Sequence, residues 1–578
     1  MSLREQLRKT AFTSSLAIIC LTLLNLFSFC QRSDSAIRIG LPQDWSNRHV
    51  AFSPCTSVQA LAAAQSDPRL FYGWLLRTRS WENRFNRESN SDTAYTSPRN
   101  NRRPHRDWSV SLGGAGTPAL MFPAKYTFDV NSAPDCVNDF VVFPVNAPGS
   151  SAQANIVALN YLYSGTTPNN GICNNLAGNG TSAKVMWAYN VGNQGVATSP
   201  ALSLDGTKVA FVQNQNPARF QVLAWSAGQG TVTAPATPTV VSTAPTAGTG
   251  QIATLTLPGA TSDASSSPFV DYTNDVAYLG TDNGKVYRIK NVFCSTLACK
   301  NSPVAPSLDT SPWPVTAGNT NLTAPVFDGV SGNVFVGSRN GKLYGFTSAG
   351  TPLMGSPLSL GNGAAKGGFT DAPVVDSSGG FVFVSTGDNG SGNAITVQTN
   401  TFFSATRTAA IGTGNQTNIH LGSLNEAYFS QSANQIGTPS EWFWYVCGVA
   451  GAAGKTPMLY RIGFDVNRVM NTAPDATALS LSSNNNEECS PLTDFLNGVD
   501  RLYLSLLTSQ QSKVFDISSS TTPTSGGAVA EAGGTSGIII DNVSTQNQAS
   551  NIYFSTLASS ASCGNHLCAV KLTQSGLQ

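Results

Sequence analysis

The sequence predicts an all-β fold, an eight-bladed β-propeller, and three observations predict it. An alternating apolar strand recurs along the chain, an apolar-Asp phrase precedes most copies, and charge is scarce. The strand appears eight times: at 139–145 (DFVVFPV), 208–213 (KVAFVQ), 275–280 (DVAYLG), 333–338 (NVFVGS), 381–386 (FVFVST), 442–447 (WFWYVC), 501–506 (RLYLSL) and 551–556 (NIYFST). Period-2 alternation places one face of each strand in a core. The copies lie 47 to 69 residues apart, against ~40–50 for a four-stranded blade, so several carry insertions. The first and sixth copies are degenerate, and a misreading of either leaves a seven-bladed ring as the alternative.

Ala324–Gly350 shows the blade most clearly. A short apolar strand reaches Asp328-Gly329, an alternating strand runs to Asn340-Gly341, and a third strand ends near Gly350. Asn-Gly tolerates φ > 0 at both central positions and predicts a two-residue type I′ hairpin. Charged residues are 11% of the chain, well below the ~25% of an average globular protein. With 53 glycines, this composition suits polar turns between strands and excludes a long helical bundle.

In chain order, Met1–Thr10 carries Arg4, Arg8 and Lys9 ahead of an apolar run through Cys30. Residues 1–30 read as an export signal, either cleaved or retained as an anchor. Phe29 before Cys30 and Ile19 before Cys20 do not fit a lipobox. Residues 31–107 form a basic region, with short helices expected at 57–65 and 69–85 and a partly disordered, arginine-rich linker after them. Residues 1–110 hold 15 Lys and Arg against 8 Asp and Glu, whereas the rest of the chain is net acidic. Arg87, Arg99, Arg102, Arg103 and Arg106 suit an anionic envelope surface or a plain solvated linker. Nucleic acid is not expected of an exported chain, and membrane contact is expected only through an N-terminal anchor.

The propeller is assigned to 108–578. Trp108, Trp187 and Trp313 each precede the proline of the next apolar-Asp phrase by 10 to 13 residues. Trp187 and Trp313 therefore begin outer strands, and Trp108 is free to pair with the last blade near Lys571–Thr573. That pairing closes the ring and removes an open edge. Gln229–Ser266, rich in Thr, Ala, Pro and Ser, is expected to be a long exposed excursion.

Export makes disulfides the default for cysteine. The expected pairs are Cys136 with Cys173, Cys294 with Cys299, Cys447 with Cys489 and Cys563 with Cys568, although spacing does not fix connectivity. Zinc at Cys563, His566 and Cys568 lacks a fourth ligand.

The phrase, the alternating strand, N-G-K-[VL]-Y and a Trp-led outer strand together resemble pyrroloquinoline-quinone-like (quinoprotein-type) propeller repeats. Val334–Gly350 and Val276–Lys290 are the sharpest copies, and the whole chain is similar to secreted bacterial propeller proteins. The resemblance implies a fold and a location and no reaction. Quinoprotein dehydrogenases of that type carry adjacent cysteines, calcium-binding Glu, Asn and Asp residues, and an A-x-D-x-x-T-G-x-x-x-W motif. The adjacent cysteines and the motif are missing from this sequence.

No catalytic residue and no resident cofactor are therefore assigned, and quinone and calcium are set aside. Asp388–Asn393 reads as a Gly-rich turn, since it lacks the acidic residue that closes a calcium loop. The aspartates Asp205, Asp328 and Asp376 repeat at equivalent turns, where an Asx side chain caps its own backbone. After residue 110 the glutamates are Glu426, Glu441, Glu487, Glu488 and Glu531. The expected function is a secreted, periplasmic or envelope-tethered binding or scaffold module for a protein or glycan partner. The alternative is an enzyme with its site in the axial funnel: a polysaccharide hydrolase or lyase, or less plausibly a quinoprotein dehydrogenase.

Overall fold

The computed structural model describes residues 40–51, 105–114, 120–130, 132–166, 171–260, 266–363, 366–416, 419–429, 441–450, 456–475, 478–484, 487–497, 499–518, 522–542 and 550–573. The export segment, the expected helices at 57–65 and 69–85, and the linker arginines before Arg106 lie outside them. All described residues belong to one unit, Gly40–Gln578.

The chain is a β-propeller built of antiparallel meanders. Ahead of them come β1 (Leu41–Gln43), the one-turn helix α1 (Trp45–His49), β2 (Val50–Ala51) and β3 (His105–Gly113). The first sheet takes β4 (Ala124–Thr127), β5 (Phe140–Pro144), β6 (Ile156–Asn160) and β7 (Lys184–Tyr189), with β1 on the free edge of β4. The second takes β8 (Ala201–Leu202), β9 (Lys208–Gln213), β10 (Arg219–Ala224), β11 (Thr239–Val241) and β12 (Gln251–Thr256). The third takes β13 (Phe269–Asp271), β14 (Val276–Gly280), β15 (Lys285–Lys290), β16 (Ser307–Leu308) and β17 (Val315–Thr316), with helix α2 (Leu297–Asn301) between β15 and β16. The fourth takes β18 (Val326–Asp328), β19 (Asn333–Gly337), β20 (Lys342–Thr347) and β21 (Leu358–Ser359).

The fifth sheet has nine strands and departs from the expectation of separate blades. It joins the meander β22 (Val374–Asp376), β23 (Phe381–Thr386), β24 (Asn393–Asn400), β25 (Thr406–Thr413) to the meander β26 (Ser423–Leu424), β27 (Phe443–Ala450), β28 (Thr456–Gly463), β29 (Leu479–Ser480). The junction is one parallel bridge, Gly412 to Val449. Two glycines allow it. A Cβ on Gly412 falls 1.7 Å from the Val449 carbonyl oxygen, and one on Gly448 falls 2.0 Å from that of Ile411. The sixth sheet holds β30 (Thr493–Asn497), β31 (Val499–Leu506), β32 (Gln511–Asp516) and β33 (Thr524–Ala530). The last holds β34 (Ile539–Asn542), β35 (Ser550–Ser555) and β36 (Leu567–Thr573), and its outer strand is β3, with Trp108 opposite Lys571. The first long strand thus closes the ring where the sequence places it.

Two local expectations are corrected. The Asn340-Gly341 hairpin is not a type I′ turn. Only Gly341 takes positive φ, at 78°, and Gly341 N–H donates to Ser338 O, so the turn spans Ser338–Gly341 with the glycine in the left-handed position. Gln229–Ser266 is not an exposed excursion throughout. It supplies β12, the partner of β10, and β11 beside it. Its Val232 is buried, and Ala236 bridges to Tyr189 of the first sheet.

Aromatic strands pack between neighbouring meanders. Trp444 is fully buried and stacks on Phe383 at 4.9 Å, while Phe443 and Tyr445 face the sixth sheet with Leu502 and Leu504. The structure bonds Cys136 to Cys173, Cys294 to Cys299, Cys447 to Cys489 and Cys563 to Cys568. Cys136 and Cys173 stand 37 residues apart, and a loop of that length restricts the unfolded chain by about 4 kcal/mol in the chain-entropy account. The double variant Cys136→Ala/Cys173→Ala is expected to lose about 2–4 kcal/mol in urea denaturation; an unchanged midpoint refutes the estimate.

Candidate functional site

First strands of successive meanders line the axis of a propeller, and residues 40–51 run along them. β1 pairs with β4 of the first sheet, Leu41 opposite Thr127. Asp44 then caps α1, its carboxylate accepting Ser46 N–H at 3.0 Å and the Ser46 hydroxyl. Trp45, 2% exposed, donates its indole N–H to Pro268 O at 3.2 Å and meets Phe269 edge-on at the start of the third sheet. Arg48 Nη1 donates to Thr493 Oγ1 at the start of the sixth, and its guanidinium lies 5.3 Å from the Phe122 ring centre. His49 Nδ1 is 2.9 Å from Pro373 O, and β2 pairs in parallel with β22 of the fifth sheet. Twelve residues reach the first strands of four sheets only from the axis. The segment occupies the place where the alternative reading puts an enzyme site.

Basic groups gather around it. Arg339, in the β19–β20 turn, donates to Thr370 Oγ1 at 3.4 Å. Asp371 accepts from Ala372 N–H at 2.9 Å and Leu421 N–H at 3.4 Å, which brings His420 alongside. Burial pushes the Asp371 carboxyl up while the Arg48 charge pulls it down. His420 is 3% exposed and held near 3, first by burial and then by Arg339 and Arg48. His49 is likewise held near 3, by burial and by Arg48. Both imidazoles are neutral at physiological pH.

The glutamates are not gathered into one site. The Glu487 carboxylate accepts Thr508 N–H, Ser509 N–H and the Ser509 hydroxyl. Glu441 and Glu488 accept through main-chain oxygens, from Asn425 and Leu507. Glu531, buried and pushed up to about 7, pairs with Arg106 at 2.7 Å. Arg106, read with the other linker arginines as a grip for an anionic surface or as plain solvated linker, is thereby committed to a half-buried pair within the chain. The turn aspartates cap their own backbones: Asp205 accepts Thr207 N–H, Asp328 accepts Val330 and Ser331 N–H, and Asp376 accepts Ser378 and Gly379 N–H. Two of them also tie neighbouring meanders, Asp328 through the Ser377 hydroxyl and Asp376 through Tyr428 Oη. Asp388 accepts Gly390 and Asn415 N–H, so that loop is an Asx turn. With Cys563 bonded to Cys568, neither thiolate remains for zinc beside His566.

One acidic cluster does form. Asp500, 5% exposed, accepts Glu426 N–H at 3.3 Å and hydrogen-bonds the Asp494 side chain. Burial first, and the charges of Glu426 and Asp516 with it, push Asp500 up to about 7. An acid whose folded pKa is raised stabilises the fold below its unfolded value, near 3.8, and loses that contribution as pH rises to about 7. Asp500→Asn is therefore expected to leave stability at pH 4 unchanged and to raise it at pH 8 by an amount of order 1–4 kcal/mol. Equal pH slopes for variant and parent in urea titrations refute this.

Sequence reasoning missed the axial segment. Asp44 as a cap and the apolar Leu41 and Trp45 in a polar stretch are the signals that mark it.

No family model matches the chain, and no curated protein matches it. Among solved structures, the chain is similar to BamB from Moraxella catarrhalis, with TM-score 0.40 and 10% identity over 81% of this chain and 100% of that one. It is also similar to Sqt1 from Saccharomyces cerevisiae, with TM-score 0.44 and 8% identity over 82% of this chain and 99% of that one. The dihydro-heme d1 dehydrogenase NirN matches with TM-score 0.38 and 11% identity over 74% of this chain and 76% of that one.

Proposed function

We propose that this chain is a non-catalytic binding or scaffold module of the cell envelope or exterior, built on an eight-bladed propeller of pyrroloquinoline-quinone-like repeats. One observation carries the reading: residues 40–51 fill the axis, where a propeller enzyme gathers substrate. The eight-blade count treats the nine-stranded sheet as two blades sharing one bridge. Counted so, the axial segment touches blades one, three, five and seven, alternate positions around an eight-fold ring. Four disulfides support an oxidising compartment. The partner is a protein or glycan met on the outer faces, and neither quinone nor calcium is needed.

Mass spectrometry of the natively exported protein, under non-denaturing conditions, tests this. The expected mass is that of the chain without its first thirty or so residues, less about eight protons for four disulfides, with no organic cofactor or divalent metal. A bound quinone or calcium, or hydrolysis of envelope polysaccharide by the purified protein, overturns it.

A further inference from the structure

We infer that the protein rests on an anionic phospholipid bilayer, and that it does so with the end of the ring that carries the first and third turns of every meander. The inference takes the envelope location from the proposed function and adds a lipid contact to it. It does not depend on whether the chain is catalytic.

A four-stranded antiparallel meander starts and finishes at one end of the ring, so its first and third turns share the other. Among the described residues nine large hydrophobic side chains are exposed, and all nine lie on those turns. Val137 is between β4 and β5, Ile172 and Leu176 are between β6 and β7, and Val240 is on β11 between β10 and β12. Leu297 and Val304 follow between β15 and β16. Met354, Phe402 and Val466, exposed by 93, 61 and 73%, occupy the third turns of the next three meanders. A single exposed hydrophobic side chain needs no explanation, but such a one-ended distribution does.

These turns touch from one meander to the next. Val232 packs in one cluster with Cys173, and Ala244 packs in another with Cys294 and Cys299. A Cβ on Gly350 falls 2.9 Å from Pro312 Cγ, and one on Gly355 falls 3.3 Å from the Phe403 carbonyl oxygen. Gln398 Nε2 donates to Arg468 O at 2.7 Å. The turns therefore form a continuous belt along the outer edge of six meanders. Disulfides brace it: Val137 and Ile172 adjoin the Cys136–Cys173 bond, and Leu297 lies inside the Cys294–Cys299 loop.

Chain connectivity and charge favour a bilayer as the occupant. Leu41 opposes Thr127 at the end of β4, Ala51 opposes Asp376 at the end of β22, and His105 opposes Thr573 at the end of β36. All three strand ends lie at the same end of the ring as the belt. Residues 1–39 and 52–104 thus join the ring there, and with them the apolar run through Cys30 and the arginine-rich linker. Their excess of Lys and Arg suits anionic headgroups. Within the belt, 161–183, 225–250, 348–357 and 401–405 hold no Asp, Glu, Lys or Arg, so seating them strips no charge of water. A folded partner needs one compact desolvated centre, whereas a bilayer receives separated apolar side chains across a plane.

The test incubates the exported full chain with vesicles of phosphatidylethanolamine and phosphatidylglycerol that carry a phospholipid with a diazirine in its acyl chain. After illumination, mass spectrometry of peptides is expected to find label at 297–304, 348–357, 400–405 and 464–470, and none at the opposite-end turns 281–284 and 338–341. The variant Met354→Ser/Phe402→Ser/Val466→Ser changes only exposed side chains and is expected to keep the parent's thermal midpoint. It is expected to lower the label at the unchanged 297–304 by about tenfold, because the belt no longer seats. Label confined to residues 1–39, equal label at both ends of the ring, or undiminished label in the variant overturns the inference. A dimer in sedimentation that the same variant dissociates also overturns it, by giving this end to a second copy. An exported chain that carries no cofactor and takes no label keeps the scaffold reading and loses this one.

Discussion

Lys125→Met is expected to cost about 3–5 kcal/mol, the range for stripping one partner from a buried ion pair. Lys125 on β4 and Asp541 on β34 lie 3.0 Å apart, both fully buried, where the first sheet meets the last. Lys125 Nζ also donates to Thr127 Oγ1, and Tyr553 Oη donates to Asp541 Oδ2 at 3.2 Å. Beside them Tyr163 donates to Asp139, which accepts Phe128 and Asp135 N–H, and Lys571 reaches Asp107 at 3.5 Å and Ser164 O at 3.0 Å. Burial already pushes the Asp541 carboxyl up, and Lys125 foremost, with the Tyr553 hydroxyl, pulls against it. Without that cation the carboxyl must take a proton or stay charged out of reach of water.

The double variant Lys125→Met/Asp541→Leu removes both charges and is expected to recover most of the loss, because an apolar replacement of a buried pair is often neutral. Urea denaturation with disulfides intact measures both. A single-variant cost below about 1 kcal/mol would show that the pair is not coupled to folding. The location gives the network a further consequence. β3 must find β36 across the whole chain, and charges that match in only one register disfavour a slipped closure.

Strand positions were legible in the sequence because period-2 alternation is local: FVFVST and NVFVGS declare themselves without knowledge of their neighbours. The closing strand was legible because Trp108 repeats a phrase that had no blade before it. The join at Gly412 and Gly448 was not, since it depends on two backbones meeting rather than on any pattern. The 229–266 tract misled because composition reports mean polarity, whereas the adjacent pair Ile252 and Ala253 is buried within the polar β12. The axial segment was the hardest. Its elements, three, five and two residues long, are too short to repeat a pattern, and Trp45 finds its hydrogen-bond acceptor 223 residues away.

That distant contact makes Trp45→Ala the second large effect, expected to cost about 3–5 kcal/mol as for other buried Trp or Phe truncations. The indole is 2% exposed, meets the His49 ring at 4.7 Å, and packs in one cluster with Phe269 and Ile539 of the third and last sheets and with Phe122 and Phe369 on the links leading into the first and fifth. Its loss leaves a cavity where those sheets converge, and the Pro268 carbonyl loses its donor. Trp45→Phe keeps the apolar contact without the N–H and is expected to lose only about 1–2 kcal/mol. If residues 40–51 were instead a loose cover over an active funnel, Trp45→Ala would barely change the urea midpoint and would release activity towards polysaccharide. A large loss of stability with no gain of activity separates a built-in axial pillar from a lid, because only a pillar is part of what the sheets pack against.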